Sequence, residues 1–426
     1  MAAVTSAQPG ELAYDPGIPR TYAWAVFALT FGLLVSDYMS RQVLNAVFPL
    51  LKAQWVLSDA QLGALSGIVA LMVGVLTVPL SFAADRFGRI QSLTIMAVFW
   101  SAATLACGLA RQYEHMFLAR LLVGVGEAAY GSVGIAVAIS VFPTRMRATI
   151  GGAFMAGGMI GSVLGVGVGG AVAGVQGWRS AFVVMAGVGF ALALLYPLVV
   201  RPSKIAPRIA PYPGPANTRR PLLSLVGSVS IYATYIASGL QLFIGAAMIA
   251  WLPSFFNRYY GLPPGRAGVW AAGFILIAGV GMIICGRISD ILGKHRPERS
   301  ATFVIVLCLT TFACLASAFN LAPGAPQLVL IACGLALTSS TAGPASAMVA
   351  NLTHPALHGS AFALLTLANN FLGLAPGPYL TGVLADRFEL AGALGMICFV
   401  NLASAAVFAI VRWRYRADLG WRESPA

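Results

Sequence analysis

The sequence predicts an all-α membrane protein of twelve transmembrane helices in two six-helix halves, with both termini cytoplasmic. Three observations predict it: the apolar bulk of the chain, the number and length of its apolar runs, and a loop pattern that occurs once in each half. Of 426 residues, 59% are hydrophobic and 9% charged, and the mean hydropathy is +0.84. A soluble domain of this size with so few charges would aggregate.

Apolar runs of about 20 residues, the length that crosses a hydrocarbon core, fall at 21–48, 61–83, 91–110, 115–141, 148–174 and 179–200. Six more fall at 225–253, 266–288, 300–320, 326–350, 358–384 and 389–411. Lys and Arg are disfavoured in short external loops. A cytoplasmic N-terminus places 18 of the 26 inside, 6 outside and 2 within spans. The tail 1–20 is polar and lacks the basic start and short apolar core of a cleavable signal, so the first span is expected to act as its own insertion signal.

Residues 201–224 carry Arg201, Lys204, Arg208, Arg219 and Arg220, six prolines and no acid. Such a segment resists packing and suits an anionic inner leaflet. It reads as the cytoplasmic linker between an N-terminal bundle, 21–200, and a C-terminal bundle, 225–411, with 412–426 as a cytoplasmic tail. The net charge of +13 then reflects topology and lipid contact rather than nucleic-acid binding. The six cysteines lie singly in apolar segments, so no disulfide framework, metal site or cofactor is expected.

The loop after the second span reads Asp85, Arg86, Phe87, Gly88, Arg89, and that after the eighth runs from Gly286 through Asp290 and Gly293 to Lys294. An acid followed three residues later by Gly and a basic residue thus recurs at the cytoplasmic end of the second helix of each half. Internal repeats of this kind characterise secondary transporters, whose substrate site lies near the midplane between halves.

Charged residues inside the spans are Asp37, Arg41, Arg120 and Glu127. Each costs about 2.5–3.5 kcal/mol at bilayer depth, so such groups face a bundle interior, pair and carry function. Asp37 and Arg41 share a helix face, as do Arg120 and Glu127. By helical rise Asp37 and Arg120 fall at similar depth, with Glu127 nearer the midplane. A carboxylate that takes and releases a proton there is what proton coupling needs, so Glu127 and Asp37 are the candidate proton sites. The alternative is a buried structural network of two acids and two bases.

The loop pattern resembles the major facilitator signature G-x-x-x-D-[RK]-x-G-[RK], with Ser81 in place of the leading Gly in the first copy. The resemblance covers essentially the whole chain and implies the major facilitator fold. It also implies a cytoplasmic gate in which Asp85 and Asp290 hold the two halves together. D-Y-M-S-R-Q-V-L-N-A-V-F-P (Asp37 to Pro49), R-L-L-V-G-V-G-E-A-A-Y (Arg120 to Tyr130) and F-P-T-R-M-R-A from Phe142 resemble the spinster branch more specifically, with a looser likeness to the anion:cation symporters. That resemblance implies protonation at Glu127, Arg120 and Arg41 as partners of an anionic headgroup or of Glu127, and Tyr130 as a cavity residue. Where the branch has Asp before the Arg of the first helix, this chain has Ser40, and Asp37 stands where the branch has Asn. Either Asp37 substitutes for the missing carboxylate, or the departure marks altered coupling or substrate.

Gly157, Gly161, Gly165 and Gly169 make one smooth face on the fifth span, for packing on a neighbour or for sliding between halves. The C-terminal half offers uncharged candidates: Tyr232, Tyr235 and Gln241, then Ser339, Ser340 and Thr341 before Pro344, and Asn369 and Asn370 before Pro376. Both prolines are expected to kink their helices.

These features predict a proton-coupled transporter working by alternating access, a monomer in a bacterial inner membrane. Its expected substrate is an amphipathic anionic lipid such as a lysophospholipid or sphingoid phosphate; the alternative is a small aromatic or hydroxylated carboxylate. An uncoupled channel or sensor is the alternative of another class. The sequence holds no H-E-x-x-H, G-x-S-x-G or Walker A motif, and its histidines, His115, His295, His354 and His358, lie at loops or span ends, so an enzyme is not expected.

Overall fold

The computed structural model describes residues 18–143, 146–201, 228–293, 297–353 and 357–423. Most of the 1–20 tail, nearly all of the 201–224 linker and Lys294 lie outside them. Among the described residues every regular element is helical, as hydrocarbon demands of a chain that must satisfy its own backbone. The first seven helices are α1 (Arg20–Trp55), α2 (Asp59–Phe87), α3 (Arg89–Leu109), α4 (Tyr113–Glu127), α5 (Tyr130–Ser140), α6 (Arg147–Gln176) and α7 (Trp178–Val199). After the linker come α8 (Val229–Tyr259), α9 (Pro264–Gly293), α10 (Pro297–Phe319), α11 (Ala325–Thr338), α12 (Ala342–Leu352), α13 (His358–Asn369), α14 (Pro376–Ile397) and α15 (Val400–Glu423). Among the described residues eleven helical stretches are long and apolar enough to cross a membrane; the last, Ser360–Tyr415, has 56 residues and loses helical dihedrals at Phe388 and Glu389.

Local sequence explains where several helices start and stop. Ser58 Oγ accepts the Gln61 N–H at 3.1 Å while Gln61 Oε1 accepts the Ser58 N–H at 3.0 Å, a capping box that starts α2. Gly88, at φ 100°, ends α2 and starts α3 in a conformation that only glycine adopts without strain.

Three spans that read as continuous in the sequence are broken. The fourth breaks at Ala128 and Ala129, directly after Glu127, and Thr77 Oγ1 of α2 donates to the freed Ala128 carbonyl at 2.7 Å. A 3-10 turn, Ser339–Thr341, precedes Pro344, and a π turn, Asn370–Leu374, precedes Pro376, with the Ala375 N–H reaching the Asn370 carbonyl at 3.0 Å. Each proline lacks the N–H that would continue the regular ladder, and the turn before it absorbs the mismatch.

The glycine face of α6 packs on α1 within the same half. A side chain at Gly161 would meet the backbone of Val35, and one at Gly165 the backbone of Met39. The face is therefore a packing surface rather than a slide between halves. A different set meets the C-terminal helices: Gly170 and Gly174 of α6 lie against Gly265 and Gly268 of α9, and Gly382 of α14 lies against the Asp59 backbone of α2. All these contacts, and the fully buried pair Phe48 and Trp251 with ring centroids 5.2 Å apart, draw the two sets of helices together toward the end where α1 finishes and α2 begins.

Candidate functional site

Glu127 is the last residue of α4, buried where that helix breaks. Its carboxylate accepts from Arg41 of α1, with Oε2 3.0 Å from Nε and 2.9 Å from Nη2. Arg41 also lies over the Tyr38 ring, 5.3 Å from its centroid. Asp37, one turn earlier, lies in the field of both the Glu127 carboxyl and the Arg41 guanidinium. Asp37 Oδ1 and Glu127 Oε1 are buried, and neither has a hydrogen-bond partner. The cluster is thus two carboxyls and one guanidinium, built across α1 and α4.

Arg120 has a different place from the one the sequence implied. It is fully buried, and its guanidinium donates to three main-chain carbonyls: Leu65 at 3.3 Å, Ser40 at 3.0 Å and Arg41 at 3.0 Å. It ties α2 and α1 to α4, with three of its five N–H groups given to carbonyls and no side-chain surface exposed. Tyr130 is a second correction. Expected in a cavity, it is fully buried in the N-terminal bundle, its hydroxyl donating to the Thr30 carbonyl at 2.7 Å and its ring edge-on to Trp100.

In the C-terminal half, Gln241 points into its own bundle, with Nε2 3.2 Å from Asn401 Oδ1 and 3.0 Å from Cys308 Sγ. Tyr235 is buried with its hydroxyl unpartnered, and Tyr232 is half exposed. Asn370 anchors Nδ2 on the Thr366 carbonyl at 2.9 Å and packs against Gly74 of α2, at the seam between the halves. Asn369 and Asn370 each keep an unpartnered side-chain carbonyl. Among the described residues no cluster of three His, Cys, Asp or Glu could hold a metal.

The repeated loops stand apart from this seam. Asp85 accepts from Arg89 Nε at 2.7 Å within its own loop, Arg86 is exposed, and a side chain at Gly286 would meet open space. Gly293 closes α9; Asp290 lies on α9 and Lys294 beyond the described residues. Among the described residues Asp85 has its bond to Arg89 and none to the other half, where the family resemblance implied a bridge.

That opposite end holds a charge cluster that sequence reasoning missed. Asp59 accepts from Lys52 Nζ at 2.5 Å and, in a two-pronged bond, from Arg258 of α8 at 2.7 and 2.5 Å. Asp386 of α14 accepts the backbone N–H groups of Asp59 at 2.7 Å and Ala60 at 2.9 Å, capping α2 from the other half. The capping box Ser58 to Gln61 was legible as a helix start. Its partners were not, since Arg258 and Asp386 lie 199 and 327 residues away in the chain.

A bundle of apolar helices in two sets, with ionisable side chains buried among them and a charged latch at one end, defines a polytopic membrane transporter. Residues 30–378 match the Major Facilitator Superfamily, and the chain is an integral membrane protein belonging to that family. Its fold is similar to the crystal structure of a bacterial homologue of the human lysosomal transporter Spinster, described as inward-facing and unoccupied, with TM-score 0.85 and 19% identity over 94% of this chain and 99% of that one. A "MFS-type efflux pump" of Mycolicibacterium smegmatis is 27% identical over 93% of this chain and 94% of its own. A "Probable L-galactonate transporter" of Escherichia coli is 26% identical over 68% of this chain and 66% of its own, so the match spans just under two thirds of that relative.

Proposed function

We propose that this chain is a proton-coupled secondary active transporter of organic anions, working by alternating access. The observation that carries the reading is the Asp37, Arg41 and Glu127 cluster. A proton shared by the two carboxyls loosens the hold of Glu127 on Arg41 and frees the guanidinium for the carboxylate of a substrate. Arg41 retains side-chain exposure of 17% against 0% for Glu127, which suits the cation that meets the ligand. Asn369 and Asn370 contribute unpartnered carbonyls, acceptors that match the hydroxyl donors of a sugar acid. The name of the galactonate relative supports the same class.

The second reading, an amphipathic anionic lipid, is what the sequence resemblance of Asp37 to Pro49 and Arg120 to Tyr130 to the spinster branch implies. It keeps Arg41 as headgroup partner and differs only in the tail.

The 56 residues of Ser360–Tyr415 would extend about 84 Å as one helix, far beyond a hydrocarbon core of about 30 Å. Read as two crossings that reverse at Glu389, they bring the count to twelve, in bundles 21–200 and 225–411 with both termini cytoplasmic. The Asp59 latch then faces outward and is closed, so the conformation is inward-facing, in a bacterial plasma membrane.

The test is uptake of labelled galactonate or hexuronate, beside a labelled lysophospholipid, into proteoliposomes with and without an imposed pH gradient. Glu127→Gln is expected to abolish gradient-driven uptake while exchange at equal pH continues. Full gradient-driven uptake by that variant would overturn the proton-coupling reading; saturable uptake of the lipid alone would move the substrate to the second class.

A further inference from the structure

Buried serine and threonine hydroxyls in these helices have a ready partner in the carbonyl one turn back. Thr30 takes that of Val26 at 2.7 Å, Thr104 that of Trp100 at 2.8 Å, and Ser162 that of Gly158 at 2.8 Å. Three serines at the level of the carboxyl cluster do otherwise. Ser36, Ser40 and Ser101 are 1%, 1% and 0% exposed, yet none of their hydroxyls has a partner. Trp100 Nε1, Asp37 Oδ1 and Glu127 Oε1 join them as buried, unpartnered polar atoms.

These groups come from three helices and converge. Ser36 and Ser40 flank Asp37 on α1, and Trp100 and Ser101 lie on α3. The Trp100 backbone lies against Gly126, next to Glu127. Gly189 of α7 completes the layer: a Cβ there would overlap the Ser101 hydroxyl and lie 3.1 Å from that of Ser36. Glycine at 189 thus admits two hydroxyls to a helix crossing that any other residue would fill. Leaving a buried hydroxyl unbonded is costly, and the usual remedy for a cluster of such groups is ordered water with about two to four polar partners.

We propose that this layer is a built water site, and that Ser36, Ser40 and Ser101 hold a short file of water that delivers protons to the Asp37 and Glu127 carboxyls. Each hydroxyl accepts one hydrogen bond and donates one. A proton arriving on one water is therefore matched by one released to the next, and the carboxyl pair takes the last with no charge left on a serine. The three serines are positioning residues: they order the water and do not themselves hold the proton. The inference rests on the proton-coupled reading above.

The experiment compares the wild-type protein, Glu127→Gln and the triple variant S36A/S40A/S101A in proteoliposomes, using whichever labelled substrate the wild type takes up. The triple variant is expected to fold and melt close to wild type, because no protein group bonds the three hydroxyls, and to keep exchange at equal pH. Its gradient-driven uptake is expected to fall about tenfold or more. Should it melt early, the single variants carry the same comparison, each with a smaller loss confined to the gradient-driven rate. Gradient-driven uptake at the wild-type rate, or an equal loss of uptake and exchange in a normally folded variant, overturns the water file. If Glu127→Gln retains its gradient drive, the underlying reading fails; if it loses that drive while the serine variants do not, only the water file fails.

Discussion

Arg258→Ala is expected to open the Asp59 end of the molecule. Arg258 supplies two of the three charged hydrogen bonds on Asp59, at 2.7 and 2.5 Å, and it is the charged side chain that joins the C-terminal half to this carboxylate. Charge-assisted bonds contribute about 1.5–3 kcal/mol each. The Arg258 side chain is 27% exposed and Lys52 remains, so solvent and the lysine recover part of the loss. A net cost of about 2 kcal/mol to the closed state is reasonable, which is about 30-fold in an equilibrium constant. A protein that opens this end about 1% of the time would then do so nearly a quarter of the time. Nitroxide labels at Val56, 89% exposed beside the latch, and Leu321, 43% exposed in the C-terminal half, read the opening as a second, longer distance in pulsed electron resonance on a variant lacking its native cysteines. An Arg258→Ala protein with the same distance distribution as its parent would refute the latch.

Arg120→Ala leaves three buried carbonyls without their donor and is expected to cost about 3–5 kcal/mol of stability, read as early melting in detergent; a transport defect in a protein of unchanged melting would return Arg120 to the ligand site. Gly382→Ala sets a methyl group against the Asp59 backbone. It should disfavour closure by about 1–3 kcal/mol, lengthening the same label distance by forcing α2 from α14. Beyond the membrane spans, burial works to raise the Asp418 carboxyl, but hydrogen bonds from Ser230 and Ser228 outweigh it and hold the group below the ordinary value of 3.8. A depressed pKa stabilises the fold above the unfolded value and loses that effect as pH falls below it. Amide exchange at Ser230, whose N–H bonds Asp418 at 3.0 Å, should therefore be slow at neutral pH and lose protection below about pH 3.8, a change that Asp418→Asn abolishes.

How much was legible follows from which forces act over which range. The cost of polar groups in hydrocarbon is paid within each stretch of about 20 residues. The spans, the isolation of Asp37, Arg41, Arg120 and Glu127 within them, and the two loop motifs could therefore be read along the chain. The glycine at 88 was legible too, because a positive φ is a local demand. The breaks beside Glu127 and before Pro376 were only half legible: proline announces a kink, whereas the break at Ala128 depends on a threonine from another helix accepting the task of bonding a freed carbonyl.

The family resemblance left Arg41 and Arg120 both open as partners of Glu127, and the tertiary structure decided between them. Sequence spacing grouped Asp37 with Arg41 and Arg120 with Glu127, since each pair shares a helix face. Packing of α1 against α4 instead joined Arg41 to Glu127, set the two carboxyls against each other, and turned Arg120 toward main-chain carbonyls. The Asp59 latch is the same lesson at greater range. Lys52, Asp59, Arg258 and Asp386 each look like solvated residues at a span end, and only the approach of α2 to α8 and α14 makes them one cluster. Hydropathy and rise per residue give a side chain its depth; the rotation of each helix and the identity of its neighbours, which decide what that side chain touches, arise only when the spans pack.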